Sequence, residues 1–107
     1  MKNPKTDIVL QKVKVYLSSL YEDRLQAIIL YGSQAREDSH EDSDIDILVI
    51  LSDLIDPYKE IDRTSEFIAQ ICLDCDVLVS RHFVSDEKFQ TGNTPFLQNV
   101  RREGIAI

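Results

Sequence analysis

Two aspartates, Asp44 and Asp46, lie one residue apart at the start of the apolar run Ile45 to Leu51. If this run is a strand, alternate residues point to one face and lie about 6.5 to 7 Å apart along the chain, so both carboxylates point the same way. Two like charges beside apolar residues repel each other unless a cation lies between them or one of them is protonated. Mg²⁺ takes carboxylate oxygens and substrate phosphates as ligands, so the pair predicts a magnesium site.

A third carboxylate on a neighbouring strand would complete such a site. The segment LDCDVLVS, Leu73 to Ser80, alternates in a way that predicts a strand with Asp74 and Asp76 on one face. Either acid could join the pair; we favour Asp76 because it directly precedes the apolar VLV, as Asp46 precedes ILV. Together with Asp44, these acids could hold two metal ions roughly 3.5 to 4 Å apart, which activate an attacking oxygen and bind the phosphates of a leaving group.

Gly32 and Ser33 follow an apolar run that ends at Tyr31. A glycine after a strand lets the backbone approach a phosphate, and a helical turn that follows it presents free N–H groups. Ser33 adds a hydroxyl, and Arg36, one turn later, is a potentially bidentate donor to a terminal phosphate. These residues therefore predict a phosphate-binding turn.

Taken singly, each feature has a more ordinary interpretation. A Gly-Ser pair before a helix is usually a turn and a cap, an acid in a strand usually protects a sheet edge, and a lone arginine usually lies on the surface. The combination favours a functional site, because the features would fall together at the ends of three strands.

The elements that position these residues are predicted from periodicity and helix caps. They are a helix from about Pro4 to Leu20, a strand from Ala27 to Tyr31, a short helix over SQARED, a strand from Ile45 to Leu51, a helix from about Pro57 to Gln70, a strand from Leu73 to Ser80, and a last helix that starts near Pro95 and ends at Gly104. This order predicts an α/β (α+β) fold in which helices pack on a small mixed sheet of at least three strands.

Composition narrows the function. The 107 residues fit one domain, 1–107, and the formal charge of −7 disfavours nucleic acid as a partner, because binding to its backbone needs clustered Lys and Arg. No apolar run approaches the length of a membrane span, and MKNPKTD lacks the apolar region of a signal peptide. We therefore expect a cytoplasmic protein that does not bind membranes.

Cys72 and Cys75 have the C-x-x-C spacing of zinc and redox sites. A structural zinc site needs four ligands, and His40 and His82 are the other candidates. A redox pair would begin a helix after a strand, whereas these cysteines lead into the predicted strand. We interpret them as small apolar residues in a reducing compartment.

The joint pattern resembles a known family. GSQAREDSHEDSDIDILVI is similar to the G-S-x-A-R…S-D-x-D-hydrophobic signature of the nucleotidyltransferase superfamily that includes DNA polymerase beta, and most closely to its minimal nucleotidyltransferase (MNT) branch. The matching residues are Gly32, Ser33, Ala35, Arg36, Ser43, Asp44 and Asp46, with Asp76 as the third acid. Glu37 departs from the pattern, since many members have glycine there.

The resemblance implies a polymerase-beta-like fold in which Gly32, Ser33, Arg36 and Ser43 bind the nucleotide. It implies that Asp44, Asp46 and Asp76 are the catalytic acids and metal ligands, holding two Mg²⁺ ions, with Asp76 helping to activate the acceptor hydroxyl. Members of this branch are often antitoxins encoded beside HEPN-domain ribonuclease toxins, and some transfer AMP from ATP to a toxin tyrosine. The expected function is therefore an antitoxin that acts as a protein adenylyltransferase.

Two alternatives stay open at this point. The same fold could neutralise a HEPN toxin by contact alone, although a pure binder has no need of three converging acids. It could also be a transferase of the aminoglycoside type whose pocket is completed by a second copy in a dimer. A chain this short has no second domain to hold a small-molecule acceptor, which favours a protein acceptor.

Overall fold

In the computed structural model, the described residues are 4–32, 35 and 44–107. The elements, in chain order, are α1 (Pro4–Tyr21), a 3₁₀ turn (Glu22–Arg24), β1 (Leu25–Tyr31), β2 (Ile45–Leu51), α2 (Pro57–Cys75), β3 (Val79–Ser85), α3 (Asp86–Thr91), α4 (Pro95–Glu103) and β4 (Ile105–Ala106). The short helix predicted over SQARED lies outside the described residues except for Ala35, which is helical.

The strands form a mixed sheet in the order β3-β2-β1-β4. Strand β1 is antiparallel to both β2 and β4, whereas β2 and β3 are parallel. Parallel neighbours need a crossover connection, and α2 supplies it. The predicted α/β fold with helices on a small mixed sheet is confirmed, and β4 is a strand that the sequence did not predict.

Both faces of the sheet are covered. Ile45, Ile47, Val49 and Leu51 of β2 join the core formed with α1 and α2. Leu48 and Ile50 point to the other face, where they pack with Leu97 and Val100 of α4. A central strand buried on both sides reads as a continuous apolar run, which explains why β2 alternates so little.

Helices α1 and α2 pack against each other along one side of the sheet. The rings of Tyr16 and Phe67 stack with their centroids 3.7 Å apart. Deeper in this contact, the Tyr21 hydroxyl donates to Oε1 of Glu60 over 2.7 Å, and Arg63 lies 3.3 Å from the same oxygen. Within residues 4–32 and 44–107, no helix is both long and apolar enough to cross a membrane.

The predicted helix starts are confirmed at α2 and α4. The side chain of Asp56 accepts from the Tyr58 N–H, with Pro57 in the first turn. The side chain of Thr94 accepts from the Leu97 N–H over 3.2 Å, with Pro95 in the first turn. An oxygen before a first-turn proline is the cap that these positions favour.

The strand predicted from Leu73 to Ser80 is wrong over most of its length. Helix α2 continues past Gln70 to Cys75, and β3 begins only at Val79. Asp76 ends the helix in the left-handed conformation, with φ 52° and ψ 52°, and its N–H donates to the carbonyl of Cys72. Cys72 and Cys75 continue the helical spacing of Ile68 and Ile71, and the longer helix packs all four residues in or against the core, while Leu73 is left exposed.

Candidate active site

Asp46 lies in β2 on the sheet face that it shares with Leu48 and Ile50, opposite α1 and α2. It pairs in register with Tyr31 on β1 and with Ser80 on β3, so it occupies the centre of a row across three strands. Asp44 directly precedes the strand and is exposed, whereas Asp46 is half-buried. Alternation along an extended chain places both carboxylates on one face, as the sequence predicts.

The electrostatics of Asp46 reflect this position. Burial raises the pKa of its carboxyl above the ordinary aspartate value, and the nearby charge of Asp44 raises that pKa further, while His82 lowers it. A divalent cation between the two carboxylates would reverse the shift, because an opposite charge within a few ångströms favours the ionised form. Oxygen donors of this kind fit Mg²⁺.

Gly32 lies next to Asp46 and forms one side of the candidate site. It follows β1 directly, has φ 76°, and its carbonyl accepts from the N–H of Ala35 over 3.2 Å. A Cβ at this position would lie 2.7 Å from Oδ2 of Asp46. The turn therefore needs glycine for two reasons, since a side chain would be strained at this φ and would collide with the carboxylate. Of the other predicted nucleotide-binding residues, Ser33, Arg36 and Ser43 lie outside the described residues.

Asp76 is not brought into this row. It caps α2, its side chain is exposed, and its carbonyl accepts from Nζ of Lys5 over 2.8 Å. Asp74, its rival, lies in α2, accepts from Nε2 of Gln70, and lines the groove between α1 and α2. In the part of the chain that the structure describes, no group of three or more His, Cys, Asp and Glu side chains could hold a metal ion. The position on β3 level with Asp46 is Ser80.

Cys72 and Cys75 lie in the last turns of α2, next to Asp74 and Asp76 in the chain. Cys72 and Cys75 lie on α2 rather than at the entrance to a strand, and both are free thiols. They are half-buried and pack against the core on the helix side of the sheet. This is the position of small apolar residues.

The sequence did not single out three aromatic side chains for this site: Tyr31 and His82, which interact electrostatically with Asp46, and Phe96, which packs against both of them. Oη of Tyr31 and Nδ1 of His82 are 3.0 Å apart and share a hydrogen bond. The ring of Phe96, from α4, lies 5.4 Å from the ring of Tyr31 and 5.4 Å from that of His82. Burial, with the charge of Asp46, raises the pKa of Tyr31 to about 12, so its hydroxyl stays protonated. His82 was missed because the predicted strand stopped at Ser80; alternation continued to Ser85 would have placed it on the face of Asp46.

The fold and the site define a nucleotidyl-transfer protein, with a glycine turn after β1 and paired aspartates at the start of the adjacent strand. The family model described as "Polymerase beta, Nucleotidyltransferase" matches residues 11–107. The chain therefore belongs to the polymerase beta nucleotidyltransferase family, and it is an enzyme of the nucleotidyltransferase class.

Two relatives from Methanocaldococcus jannaschii carry the provisional name protein adenylyltransferase. One, MJ0604, is 36% identical over 92 residues, which cover 85% of this chain and 86% of the relative. The other, MJ0141, is 27% identical over 99 residues, which cover 92% of this chain and 95% of the relative. These matches extend along almost the whole chain and are therefore not limited to the aspartate motif.

Solved structures show the same fold. A toxin-antitoxin crystal structure with AMP-PNP superposes with a TM-score of 0.60 at 24% identity, covering 97% of this chain and 72% of that chain. A structure of a tri-AMPylated HEPN toxin from Shewanella oneidensis with its MNT antitoxin gives 0.55 at 23% identity, covering 94% and 69%. A provisionally named nucleotidyltransferase from Sulfolobus solfataricus gives 0.61 at 16% identity, covering 99% and 87%.

Proposed function

We propose that residues 1–107 form one Mg²⁺-dependent nucleotidyltransferase domain that moves AMP from ATP to a tyrosine hydroxyl of a HEPN-domain toxin, and that the protein acts as the antitoxin in the cytoplasm. The observation that carries this proposal is the close approach of the Gly32 backbone to Asp46, which leaves no room for a Cβ between them. It sets a backbone able to approach phosphates beside a half-buried carboxylate that has the charge of Asp44 near it, an arrangement that a divalent cation would stabilise.

The residues of the site have separate roles in the proposed reaction. The Gly32 turn, with Ser33, Arg36 and Ser43 in the roles that the family resemblance implies, binds the β- and γ-phosphates. Asp44 and Asp46 hold the metal, and a bound Mg²⁺ would neutralise the charge that develops on the phosphate oxygens. Asp46 lies on β2, between β1 with its following turn and β3, and we therefore expect the α-phosphate to bind near the centre of the row.

The transfer is an in-line displacement. The acceptor oxygen forms a bond to the α-phosphorus, the bond from that phosphorus to the oxygen of the β-phosphate breaks, and pyrophosphate leaves with the electron pair. The resemblance gives the proton of the hydroxyl to Asp76. Because Ser80 rather than an acid lies level with Asp46, we propose instead that this proton passes to water.

The choice of acceptor has separate support. The two archaeal relatives are named for protein adenylylation, and several structural neighbours are toxin-antitoxin complexes. A tri-AMPylated HEPN toxin in one of those complexes is the kind of product that the proposed reaction would make. An acidic chain with charge −7 also suits a basic protein partner better than a nucleic acid.

A second candidate function is neutralisation of the toxin by binding alone. Ser80 favours it, because the strand position level with Asp46 lacks the third carboxylate that a two-metal site would use. The two functions differ in whether the carboxylate pair is needed for neutralisation.

An assay of toxin ribonuclease activity separates these candidates. The HEPN-domain toxin proposed as the partner is mixed with wild type, Asp44→Asn or Asp46→Asn in the presence of ATP and Mg²⁺. Asp53→Asn is the matched control, since Asp53 is exposed and pairs with Arg24 outside the site. We expect neutralisation by wild type and Asp53→Asn only. Neutralisation by all four proteins, without AMP transfer, would establish the binding function and overturn the enzymatic one.

A further inference from the structure

The side chains of Tyr31, His82 and Phe96, here called the aromatic cluster, form an exposed surface next to the aspartate pair. Phe96 is 39% exposed and His82 is exposed, although each has rings beside it. Large rings left in contact with water at the edge of a site are typical of a binding surface rather than of a core. None of the steps proposed above uses this cluster.

The cluster is built around β2. Tyr31 on β1 pairs in register with Asp46, while His82 on β3 pairs with Leu48, the next residue of β2 on the same face. The hydrogen bond between Tyr31 and His82 therefore passes diagonally over β2, between the carboxylate and the apolar core under α4. Phe96 packs edge-on against Tyr31, with an interplanar angle of 83°. The rings are held by one another and by the sheet.

The direction of an in-line displacement assigns this surface to one substrate. The attacking and leaving oxygens lie on opposite sides of the reacting phosphorus. The phosphate-binding turn follows β1, and Asp46 lies on the next strand, β2. Pyrophosphate thus leaves on the β1 side, and the acceptor must approach over β3, where Ser80 and His82 face the site.

We propose, on the basis of the proposed function, that the aromatic cluster is the acceptor site: His82 and Phe96 receive the ring of the partner's tyrosine, and His82 positions its hydroxyl. Tyr31 holds His82 in place through their hydrogen bond. Ring-on-ring packing would select a tyrosine over a serine or threonine hydroxyl, because a small side chain gains nothing from the two rings. The acceptor site is thereby selective for tyrosine at β3, the strand on which Ser80 rather than an acid lies level with Asp46.

Steady-state transfer of AMP to the HEPN toxin tests this assignment with His82→Ala and Phe96→Leu. Phe96→Leu keeps the apolar bulk while removing the ring. Tyr58→Ala is the control, since Tyr58 is an aromatic residue 80% exposed on α2. We expect kcat/KM for the toxin to fall roughly three- to tenfold in each cluster variant, as loss of an aromatic pair implies, with the KM for ATP unchanged. Melting temperatures confirm that each variant folds.

A second measurement separates ring recognition from a structural role. The acceptor tyrosine of the toxin is replaced by serine, and the ratio of transfer to the two toxins is compared. Wild type should prefer tyrosine, and Phe96→Leu should lose most of that preference; a structural defect would slow both acceptors equally.

The outcomes are distinct. If His82→Ala and Phe96→Leu raise the KM for ATP instead, the cluster holds the nucleobase and the assignment is wrong. If neither variant changes the use of the toxin, the assignment also fails while the proposed function stands. If wild type transfers no AMP, the proposed function is overturned, and the acceptor site with it.

Discussion

The Cβ position of Gly32 lies 2.7 Å from Oδ2 of Asp46, so the turn after β1 and the carboxylate on β2 are built against each other. Gly32 also has φ 76°, which residues with a side chain rarely adopt. The two constraints can be separated by substitution, because asparagine tolerates a positive φ but still carries a Cβ.

Replacement of Gly32 by alanine or by asparagine should therefore remove activity in both variants. It should lower stability mainly in the alanine variant. Gly32→Ala should lower the free energy of unfolding by about 1 to 2 kcal/mol through backbone strain, while Gly32→Asn should lose less. Both should lose most AMP transfer, since either side chain displaces the carboxylate of Asp46. Urea denaturation and a transfer assay measure the two effects. Full activity in Gly32→Ala would show that the contact is not part of the site.

Asp46→Asn should stabilise the metal-free protein. Burial and Asp44 raise the pKa of Asp46, so its proton is held more tightly in the folded than in the unfolded state. The contribution of that proton to stability is complete below the unfolded pKa of about 3.9 and is lost as pH rises through the folded pKa. In EDTA, the melting temperature of Asp46→Asn relative to wild type should therefore increase from pH 4 towards pH 7, and added Mg²⁺ should reduce the difference.

The control for this pH series is Asp53→Asn. The Asp53 carboxylate accepts from Nε of Arg24 over 3.1 Å at the surface. Asp53→Asn should therefore lower the free energy of unfolding by no more than about 1 kcal/mol, and its melting temperature relative to wild type should not increase with pH. A metal-free Asp46→Asn protein that melts below wild type at pH 7 would contradict the account of the site.

Tyr21→Phe should weaken the contact between α1 and the start of α2. The hydroxyl of Tyr21 donates to the carboxylate of Glu60, which is 5% exposed, and burial is the main reason that the pKa of Tyr21 is raised. Loss of a hydrogen bond to a buried charged group should cost about 1.5 to 3 kcal/mol of unfolding free energy. Tyr58→Phe makes the same chemical change at an exposed position and should cost almost nothing. Equal losses in the two variants would contradict this account.

The Asp76→Asn variant tests whether Asp76 is a catalytic acid, as the sequence resemblance implies, or only ends α2, as the structure shows. Asparagine adopts the left-handed conformation about as well as aspartate, so the helix end should be kept. From the structure we expect transfer within about threefold of wild type, whereas Asp46→Asn should lose roughly a hundredfold or more, as removal of several kcal/mol of charge stabilisation implies. Equal losses in both variants would restore Asp76 as a third catalytic acid.

Periodicity and helix caps predicted the sheet class and most elements, because β2 is continuously apolar, Asp56 precedes Pro57, and Pro95 lies at the start of the last helix. The boundary between α2 and β3 could not be predicted, since alternation and helical spacing both fit the residues before Val79. Only tertiary burial decides between them. Strand β4 has two residues, too few to show a period.

The same boundary explains what was missed in the site. Gly32, Asp44 and Asp46 were expected to lie together because their combination at strand ends is unusual, although each alone has an ordinary explanation. The structure places Gly32 close to Asp46, and the catalytic role of these residues stays a prediction. The aromatic cluster depends on the register of β3, which pairs Ser80 with Asp46 and His82 with Leu48, the next residue of β2 on the same face. Phe96 comes from α4, and no local pattern shows that this helix crosses the face of the sheet beside Tyr31.

The central claim is nucleotidyl transfer to a protein, and ATP labelled at the α- or the γ-phosphorus tests it most directly. The protein is incubated with Mg²⁺, the HEPN toxin and one of the two labels, and label bound to the toxin is counted. The account predicts stable label on the toxin from α-labelled ATP only, with the γ-label released in pyrophosphate and no transfer by Asp46→Asn. Label from the γ-position on the toxin, or toxin neutralised with no label from either position, would contradict it.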